Sequence, residues 1–512
     1  MTSSNTTTSN KKRLAKNTLL LYIRTIIVMC VSLFTSREVL RILGVEDYGI
    51  YNVVGGFVTM FSLISGSLSS AISRFITYEL GKKEDQKLNE VFCTSVNIQI
   101  ILSVIVIIAA EIFGVWFLNT QMNIPEPRME VANWLLQFSI ITFVVNLISI
   151  PYNASIIAHE DMNVFAYISL LEAGLKLVIL YLLIISPFDK LASYGFYLVL
   201  VSLLIRLIYG IYCKRRYQEC HYRVIVDKLI MKKMFHYAGW NVVGASPYMF
   251  NTNGIDLISN IFFGVHVNAA RGIALQASNA VRQFVYNFTT ALNPQIIKTY
   301  AAGEREECFS TVNMGAKFSS YMMLFFAVPL IIDADCVLYL WLNTVTEHTS
   351  LFFRLSMISI IMEMPCTTLA TLAISTDNVR KYFIWMGVWS GLIFPISFLC
   401  FYLGAPAFTS YVVYIIMYFL MIFLRLILLR ETVQFPIARF FSQVLFPIFR
   451  VMIFAFSMPL LVWYFLDESF VRLVMITIVS SLSIVIGVYF MGLLPNEKNT
   501  IVRMIRSKIL KR

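Results

Sequence analysis

The side chains best equipped for chemistry in this chain are arginines and amides set inside apolar stretches. Arg282 lies near the middle of NAARGIALQASNAVRQFVYNFTTALNPQ (268–295). Gly272, Gln276, Asn279, Gln283, Tyr286 and Thr290 recur there at steps of three or four residues, so a helix places them on one face. Placing a guanidinium at mid-membrane costs about 2.5–3.5 kcal/mol, so it faces a watery cavity or a partner rather than lipid. Arginine grips phosphate-type anions through paired, charge-assisted hydrogen bonds. Neutral amides such as Gln276, Asn279, Gln283 and Asn287 suit hydroxyl groups. Arg24, inside LLLYIRTIIVMC, is a second such cation. The competing account of Arg282 is a structural ion pair with Asp256 or Glu363.

Other buried-charge candidates are fewer. Pro247 interrupts NVVGASPYMFNTNGIDLISN (241–260). A proline removes one backbone hydrogen bond and bends a helix. Asn253, Asp256 and Asn260 share a face beyond that bend. Glu363 is a deep carboxylate in its span, whereas Arg354 reads as interfacial; Glu172 and Lys176, four apart, read as a neutralising pair. Asn52, Gly55, Thr59, Ser62, Gly66, Ser69 and Ser73 form a small polar stripe, which either packs closely against a neighbour or faces water.

Several chemistries find no support. The eight cysteines are scattered without a CxxC pair and the five histidines are dispersed, so neither a disulfide framework nor a metal site is indicated, and no cofactor is called for. GxxxxGK[ST], HExxH and GxSxG are absent. No outer loop exceeds about fifteen residues by the spacing of the spans. Short outer loops argue for movement across a membrane rather than covalent chemistry, and the chain is not expected to be an enzyme.

The elements that position these residues are membrane helices. Of the 512 residues 58% are hydrophobic and only 14% charged, against about 25% charged in soluble domains. The apolar runs predict about fourteen transmembrane helices: 17–36, 50–74, 90–118, 131–157, 164–186, 192–213, 236–263, 269–295, 315–342, 350–374, 382–403, 407–429, 443–466 and 470–493. The net charge of +12 follows topology rather than nucleic-acid binding. Alternate loops, with Lys317 and Arg425 counted beside them, hold 28 Lys and Arg, and the opposite set holds 6. Positive loops face the cytoplasm, which puts both termini there. CKRRYQECHYRVIVDKLIMKK (213–233) is then a basic cytoplasmic segment resting on anionic headgroups.

That segment divides two similar halves. LGVEDYG (43–49) has its counterpart in FGVHVNA (263–269), about 220 residues on. Tyr78-x-x-Gly81 matches Tyr300-x-x-Gly303, and IPYNASIIAHEDMNV (150–164) reads against MPCTTLATLAISTDNV (364–379). The expected organisation is a leader at 1–16, a six-helix lobe at 17–213, a basic linker at 214–235, a second six-helix lobe at 236–429, two accessory helices at 443–493 and a basic tail at 494–512. The fold class is all-α integral membrane, with two lobes in parallel pseudo-repeat plus two extra C-terminal helices. Parallel repeats place a substrate site between them.

RILGVEDYGIYNVVGGF (41–57) and SRFITYELGKKED (73–85), with FFGVHVNAARGIALQASNAVRQF (262–284) and TALNPQI (290–296), resemble the polysaccharide or O-antigen-type flippases in a lipopolysaccharide-biosynthesis branch. These belong to the superfamily that also holds multidrug-and-toxin exporters and the lipid II flippase. The resemblance covers nearly the whole chain. It implies a V-shaped transporter in a bacterial inner membrane. Such a transporter turns an undecaprenyl-pyrophosphate-linked oligosaccharide to the outer leaflet by alternating access. It further implies cavity arginines, whose roles Arg24 and Arg282 suit; Gln276, Asn279, Gln283, Asn253, Asp256 and Glu363 complete the expected substrate-binding set. Membrane lipids are partners; a coupling cation and polysaccharide-assembly proteins are partners it allows. A cation-coupled multidrug exporter is the alternative, and a membrane-embedded glycosyl polymerase a more distant one.

Overall fold

The computed structural model describes the backbone of residues 2–82, 85–159, 161–225, 227–343, 345–376, 379–495 and 497–498. Every regular element among them is helical. In order these are α1 (Thr2–Thr59), α2 (Ser62–Lys82), α3 (Asp85–Ala109), α4 (Val115–Thr120), α5 (Glu126–Ala158), α6 (Met162–Ile185), α7 (Lys190–Arg216), α8 (Lys228–Met249), α9 (Ile255–Phe263) and α10 (Val265–Ala301). They continue as α11 (Arg305–Ile332), α12 (Ala334–Leu342), α13 (Thr349–Glu363), α14 (Thr367–Ile374), α15 (Val379–Gly391), α16 (Ile393–Tyr402), α17 (Thr409–Val433), α18 (Ile437–Phe440), α19 (Phe446–Phe465) and α20 (Phe470–Gly487).

Among the described residues ten helical stretches are long and apolar enough to cross a membrane. They overlap ten of the fourteen expected spans; the one expected at 315–342 is Arg305–Ile332, ended at Asp333 about ten residues early. The other four, 17–36, 50–74, 236–263 and 269–295, are helical but fall outside that ten. All four carry polar or charged residues singled out in the sequence, and 50–74 is interrupted by a turn at Met60–Phe61. Apolar surface marks the lipid-facing side of the other spans. Along α7, Phe196, Leu200, Leu203, Leu207 and Ile211 are exposed at steps of three or four, the arrangement that hydrocarbon solvent favours.

Local sequence sets the helix ends. Gly44 (φ 83°, ψ 172°) breaks α1, and Gly264 (φ 81°, ψ −175°) separates α9 from α10. These left-handed angles favour glycine because it lacks a Cβ. The two stand 220 residues apart with nearly the same angles, so the LGV/FGV correspondence is a shared backbone geometry. The Tyr-x-x-Gly match does not extend that far: Gly303 is left-handed, while Gly81 lies inside α2. Asp189 caps α7 by accepting from Leu191 N (2.9 Å) and Ala192 N (3.1 Å), and Asp227 caps α8 in the same way.

The chain forms two compact units, residues 1–269 and 270–512, divided within the first turns of α10. In the first unit α5 packs along α7, and α6 lies against α1 and α7. The helix expected at 236–263 packs here, with Met234 joining Leu68, Ile72 and Ile76 in one core. Gly49 is a true close approach: a Cβ there would lie 2.2 Å from the Val265 carbonyl oxygen. The basic segment after α7 is anchored to the same unit, since Asn89 Nδ2 donates to the Glu219 and His221 carbonyls at 2.7 and 2.9 Å.

In the second unit α11 packs against α13, α19 and α20. Two ion pairs fasten the last helices to α11. Arg472, at the start of α20, binds Asp333 at 2.6 Å, and Lys317 binds Glu497 at 2.6 Å. Lys317 is 1% exposed, so it belongs inside α11 rather than with the cytoplasmic loop beside which it was counted. Arg425 likewise lies inside α17. Removing both leaves the loop asymmetry at 26 to 6, and the topological reading is unchanged.

Candidate functional site

The polar stripe of α10 lies on an open face. Asn279, Gln283 and Tyr286 are exposed, Gly272 and Gln276 are half-buried, and Ala270, Ile273, Ala274, Ser278 and Val285 are buried behind them. Thr290 keeps its place on this helix, but its side chain lies outside the described residues. The spans that face lipid expose isoleucine, leucine and phenylalanine, whereas α10 exposes Asn279 and Gln283 beside Phe284 and Tyr286; exposed amides belong to water or a polar ligand. Gln283 Nε2 donates to Asn287 Oδ1 at 3.0 Å, which links two amides along the stripe.

Arg282 stands beside that stripe and its guanidinium donates to Glu363 on α13. Both are part-buried, at 25% and 20% side-chain exposure. The two charges offset one another, so an anion that takes Arg282 must displace Glu363 or share the guanidinium with it. Arg425, on α17, reaches the same segment in space. Its Nη1 donates to the Cys366 carbonyl at 2.7 Å, in the 3₁₀ turn that follows Glu363. Thr371 Oγ1 donates to Asn293 Oδ1 at 2.7 Å, joining α14 to α10. Arg425 is a residue that sequence reading missed, because it was counted with the neighbouring loop charges.

In the first unit the small-residue stripe faces open space. A Cβ at Gly55, Gly56 or Gly66 would meet nothing within 4 Å, which argues against close helix packing as the stripe's purpose. Asn253 Nδ2 donates to Thr59 Oγ1 at 3.1 Å. Asn253 sits in a π-helical turn, Phe250–Gly254, just after Pro247. Thr59 sits just before the turn at Met60–Phe61. Two interrupted helices therefore meet through side chains at their interruptions, and π-helical turns of this kind recur at functional sites. Asn260, by contrast, is buried and accepts from Asn123 N at 2.9 Å, a loop-fixing role. The Asp256 carbonyl accepts from Asn268 Nδ2 at 2.8 Å.

Arg24 points its guanidinium over the Phe165 ring, 4.5 Å from the centroid. Its Nε is buried without a hydrogen-bond partner, and among the described residues no carboxylate pairs with it. Glu172 and Lys176 neutralise each other at 2.8 Å, as their spacing suggested. Arg206 on α7 lies over the Tyr152 ring at 3.9 Å. Arg354 binds Asp335 at 2.6 Å. No three His, Cys, Asp or Glu side chains among the described residues gather where they could hold a metal ion.

At the ends of α5 and α7, Arg128 ties two carboxylates. Its Nε donates to Asp47 Oδ1 and its Nη1 to Asp189 Oδ2, each at 2.7 Å. Burial pushes the Asp47 carboxyl above its ordinary range and outweighs Arg128. Burial also acts upward on Asp189, but Arg128 and the backbone N–H groups of Ala192 and Leu191 outweigh it and hold that carboxyl low.

Residues 14–299 match the model of a family described as polysaccharide biosynthesis protein, which is more than half of the chain. The chain belongs to that family. One relative is an uncharacterized membrane protein, EpsK, of Bacillus subtilis, 17% identical over 314 residues. The match spans 61% of this chain and 62% of that relative's length. Among solved structures, the lipid II flippase MurJ in an inward closed conformation superposes with a TM-score of 0.68 at 14% identity, covering 92% of this chain and 98% of that one. An inward-facing multidrug resistance MATE family transporter of the MOP superfamily gives a TM-score of 0.57 at 13% identity, covering 91% and 96%. This member of the polysaccharide biosynthesis family is therefore a multi-pass, all-helical membrane protein with the fold of the MurJ and MATE transporters.

Proposed function

We propose that this protein is a flippase that carries a lipid-linked oligosaccharide, built on undecaprenyl pyrophosphate, from the cytoplasmic to the outer leaflet of a bacterial inner membrane by alternating access. The observation that carries the reading is the exposed amide face of α10, set beside a guanidinium inside an otherwise apolar bundle. Amides suit the sugar hydroxyls, and Arg24 and Arg282 suit the pyrophosphate. Among the described residues Arg24 has no carboxylate to displace. Arg282 has Glu363, so anion binding there is an exchange of one partner for another, favoured when the pyrophosphate brings more than one negative charge. Asn253, Asp256, Gln276, Asn279 and Gln283 are the further residues proposed to meet substrate, and the interruption after Pro247 supplies a place to bend. The bodies that rock are the two compact units, residues 1–269 and 270–512, rather than the lobes bounded at 213 and 236.

The test is reconstitution of the purified chain in liposomes with a fluorescent undecaprenyl-pyrophosphate oligosaccharide. Movement of label to the other leaflet without bond formation is the expected result. Cation-driven efflux of a drug with no movement of the lipid would mark a multidrug exporter instead. Lengthening of the sugar chain would mark a polymerase.

A further inference from the structure

Arg206 and Arg425 occupy equivalent places in the two halves. Each stands sixteen residues after the first residue of its helix, Lys190 for α7 and Thr409 for α17. Each reaches the residue that directly follows a proline. Arg206 lies 3.9 Å over the ring of Tyr152, after Pro151 in α5. Arg425 Nη1 donates at 2.7 Å to the carbonyl of Cys366, after Pro365 in the 3₁₀ turn between α13 and α14. In the first half the carbonyl of Tyr152 is also met from α7, by Cys213 Sγ at 3.5 Å. In both halves the residue after the proline is thus met from the corresponding helix, through its ring in one and its backbone carbonyl in the other.

Neither arginine is explained by charge pairing. Among the described residues no carboxylate makes an ion pair with either. The rest of each guanidinium is held by weak contacts, and Arg425 Nε is buried without a hydrogen-bond partner. Arg425 Nη2 meets Met421 Sδ at 3.5 Å. A Cβ on Gly210 would lie 2.9 Å from Arg206 Nη1, so the absence of that atom leaves room for the guanidinium. An unpaired guanidinium inside apolar spans is expensive to keep. A proline removes the hydrogen bond to the carbonyl four residues earlier, Leu147 or Ile361, and leaves the helix weakest there.

We propose that Arg206 and Arg425 are a repeat-related pair of positioning residues: each ties the residue after a helix-weakening proline to the neighbouring helix and so fixes the bend at which its half flexes. For its rate measurement the proposal rests on the flippase reading above; its exchange measurement does not.

The experiment uses the full chain in lipid nanodiscs and in liposomes, with Arg206→Met, Arg425→Met, Pro151→Ala, Pro365→Ala and the paired doubles. Hydrogen exchange of the backbone amides reports local opening. Loss of a charge-assisted hydrogen bond predicts about tenfold or greater acceleration in residues 360–374 for Arg425→Met, and loss of a cation–π contact predicts about two- to tenfold acceleration in 146–158 for Arg206→Met, each without effect on the other segment. Transport of the fluorescent lipid-linked sugar should slow per folded molecule while its dissociation constant holds. Arg425→Lys, which keeps a donor for Cys366, and Arg206→Lys, which keeps a cation over Tyr152, should recover most of the rate. Each Arg–Pro double should be no worse than its proline single, the non-additivity expected of residues that act through one another. Should Arg425→Met not fold, Arg425→Gln carries the same cycle. Unchanged exchange at the proline segments, additive doubles, or a loss confined to ligand affinity would each overturn the proposal. A chain that moves no lipid-linked sugar but shows the exchange pattern would overturn the flippase reading and leave this one standing.

Discussion

At the scale of the residue, the Arg282–Glu363 pair is the feature with most consequence. A carboxylate on the cation weakens the attraction that an incoming pyrophosphate feels. Glu363→Gln keeps the shape and removes that competitor, so affinity for an undecaprenyl-pyrophosphate probe should rise by severalfold. Arg282→Ala should lose a charge-assisted contact of about 1.5–3 kcal/mol, roughly 10- to 150-fold in affinity. Titration with the fluorescent probe, with thermal stability recorded alongside, checks both. If Glu363→Gln only lowers stability and Arg282→Ala binds normally, the pair is a structural brace. The Arg128 cluster makes a second prediction, with opposite signs for its two carboxylates. Asp189, held low, contributes stability at neutral pH that is lost as pH falls through its folded value. Asp47, held high by burial, contributes stability at acid pH that is lost as pH rises through its folded value. Asp189→Asn should therefore lower the melting temperature at pH 7 more than Asp47→Asn, and Asp189→Ala should cost about 1 kcal/mol more again because the cap of α7 goes too.

At the scale of the element, the helices divide by what they show to their surroundings. Among the described residues ten are long and apolar enough to cross a membrane. The stretches that fall short are where the polar stripes and the turn at 60–61 lie. A helix of this kind gives up insertion energy for a wet face and the capacity to bend. The last two membrane helices are of the other kind. Asp333 is 1% exposed and Arg472 is buried beside it, so the pair holds α20 to the end of α11. Breaking one side of a buried pair costs about 3–5 kcal/mol, whereas replacing both partners by apolar residues is often neutral. Asp333→Asn should lower thermal stability in detergent sharply, and Asp333→Leu with Arg472→Met should restore it. Equal stability of Asp333→Asn and the unaltered protein would mean that packing alone holds α20.

For the whole molecule the relevant quantity is charge moved across the membrane. With the cytoplasm negative, outward movement of each net negative charge is favoured by roughly 2.3 kcal/mol per 100 mV. Under the flippase reading, transport of the pyrophosphate-linked sugar should accelerate when a potassium diffusion potential is imposed, negative on the side from which the lipid starts. A rate that does not change when the potential is set to zero would remove it as a driving force and point to a coupled cation that cancels the charge. The orientation this requires follows from the loop charges. Reporters at Arg216 and Glu304 should answer from the cytoplasm, and those at Met122, Lys190 and His348 from outside.

The sequence by itself determined the properties that depend on neighbours along the chain. Apolar run length identified ten of the spans. The LGV and FGV segments could be paired by sequence, and a step of three or four residues put the amides of 268–295 on one face. Each rests on local geometry, which 3.6 residues per turn fixes without knowledge of the fold. Only the tertiary structure decided which charges meet. A helical wheel gives Arg282 a face but cannot choose between Asp256 and Glu363, because the choice depends on how helices some 80 residues apart cross. Lys317 and Arg425 were misplaced among loop charges for the same reason. Their depth is set by partners, Glu497 for the one and the Cys366 carbonyl for the other, and in an apolar interior it is the partner that makes a buried cation tolerable.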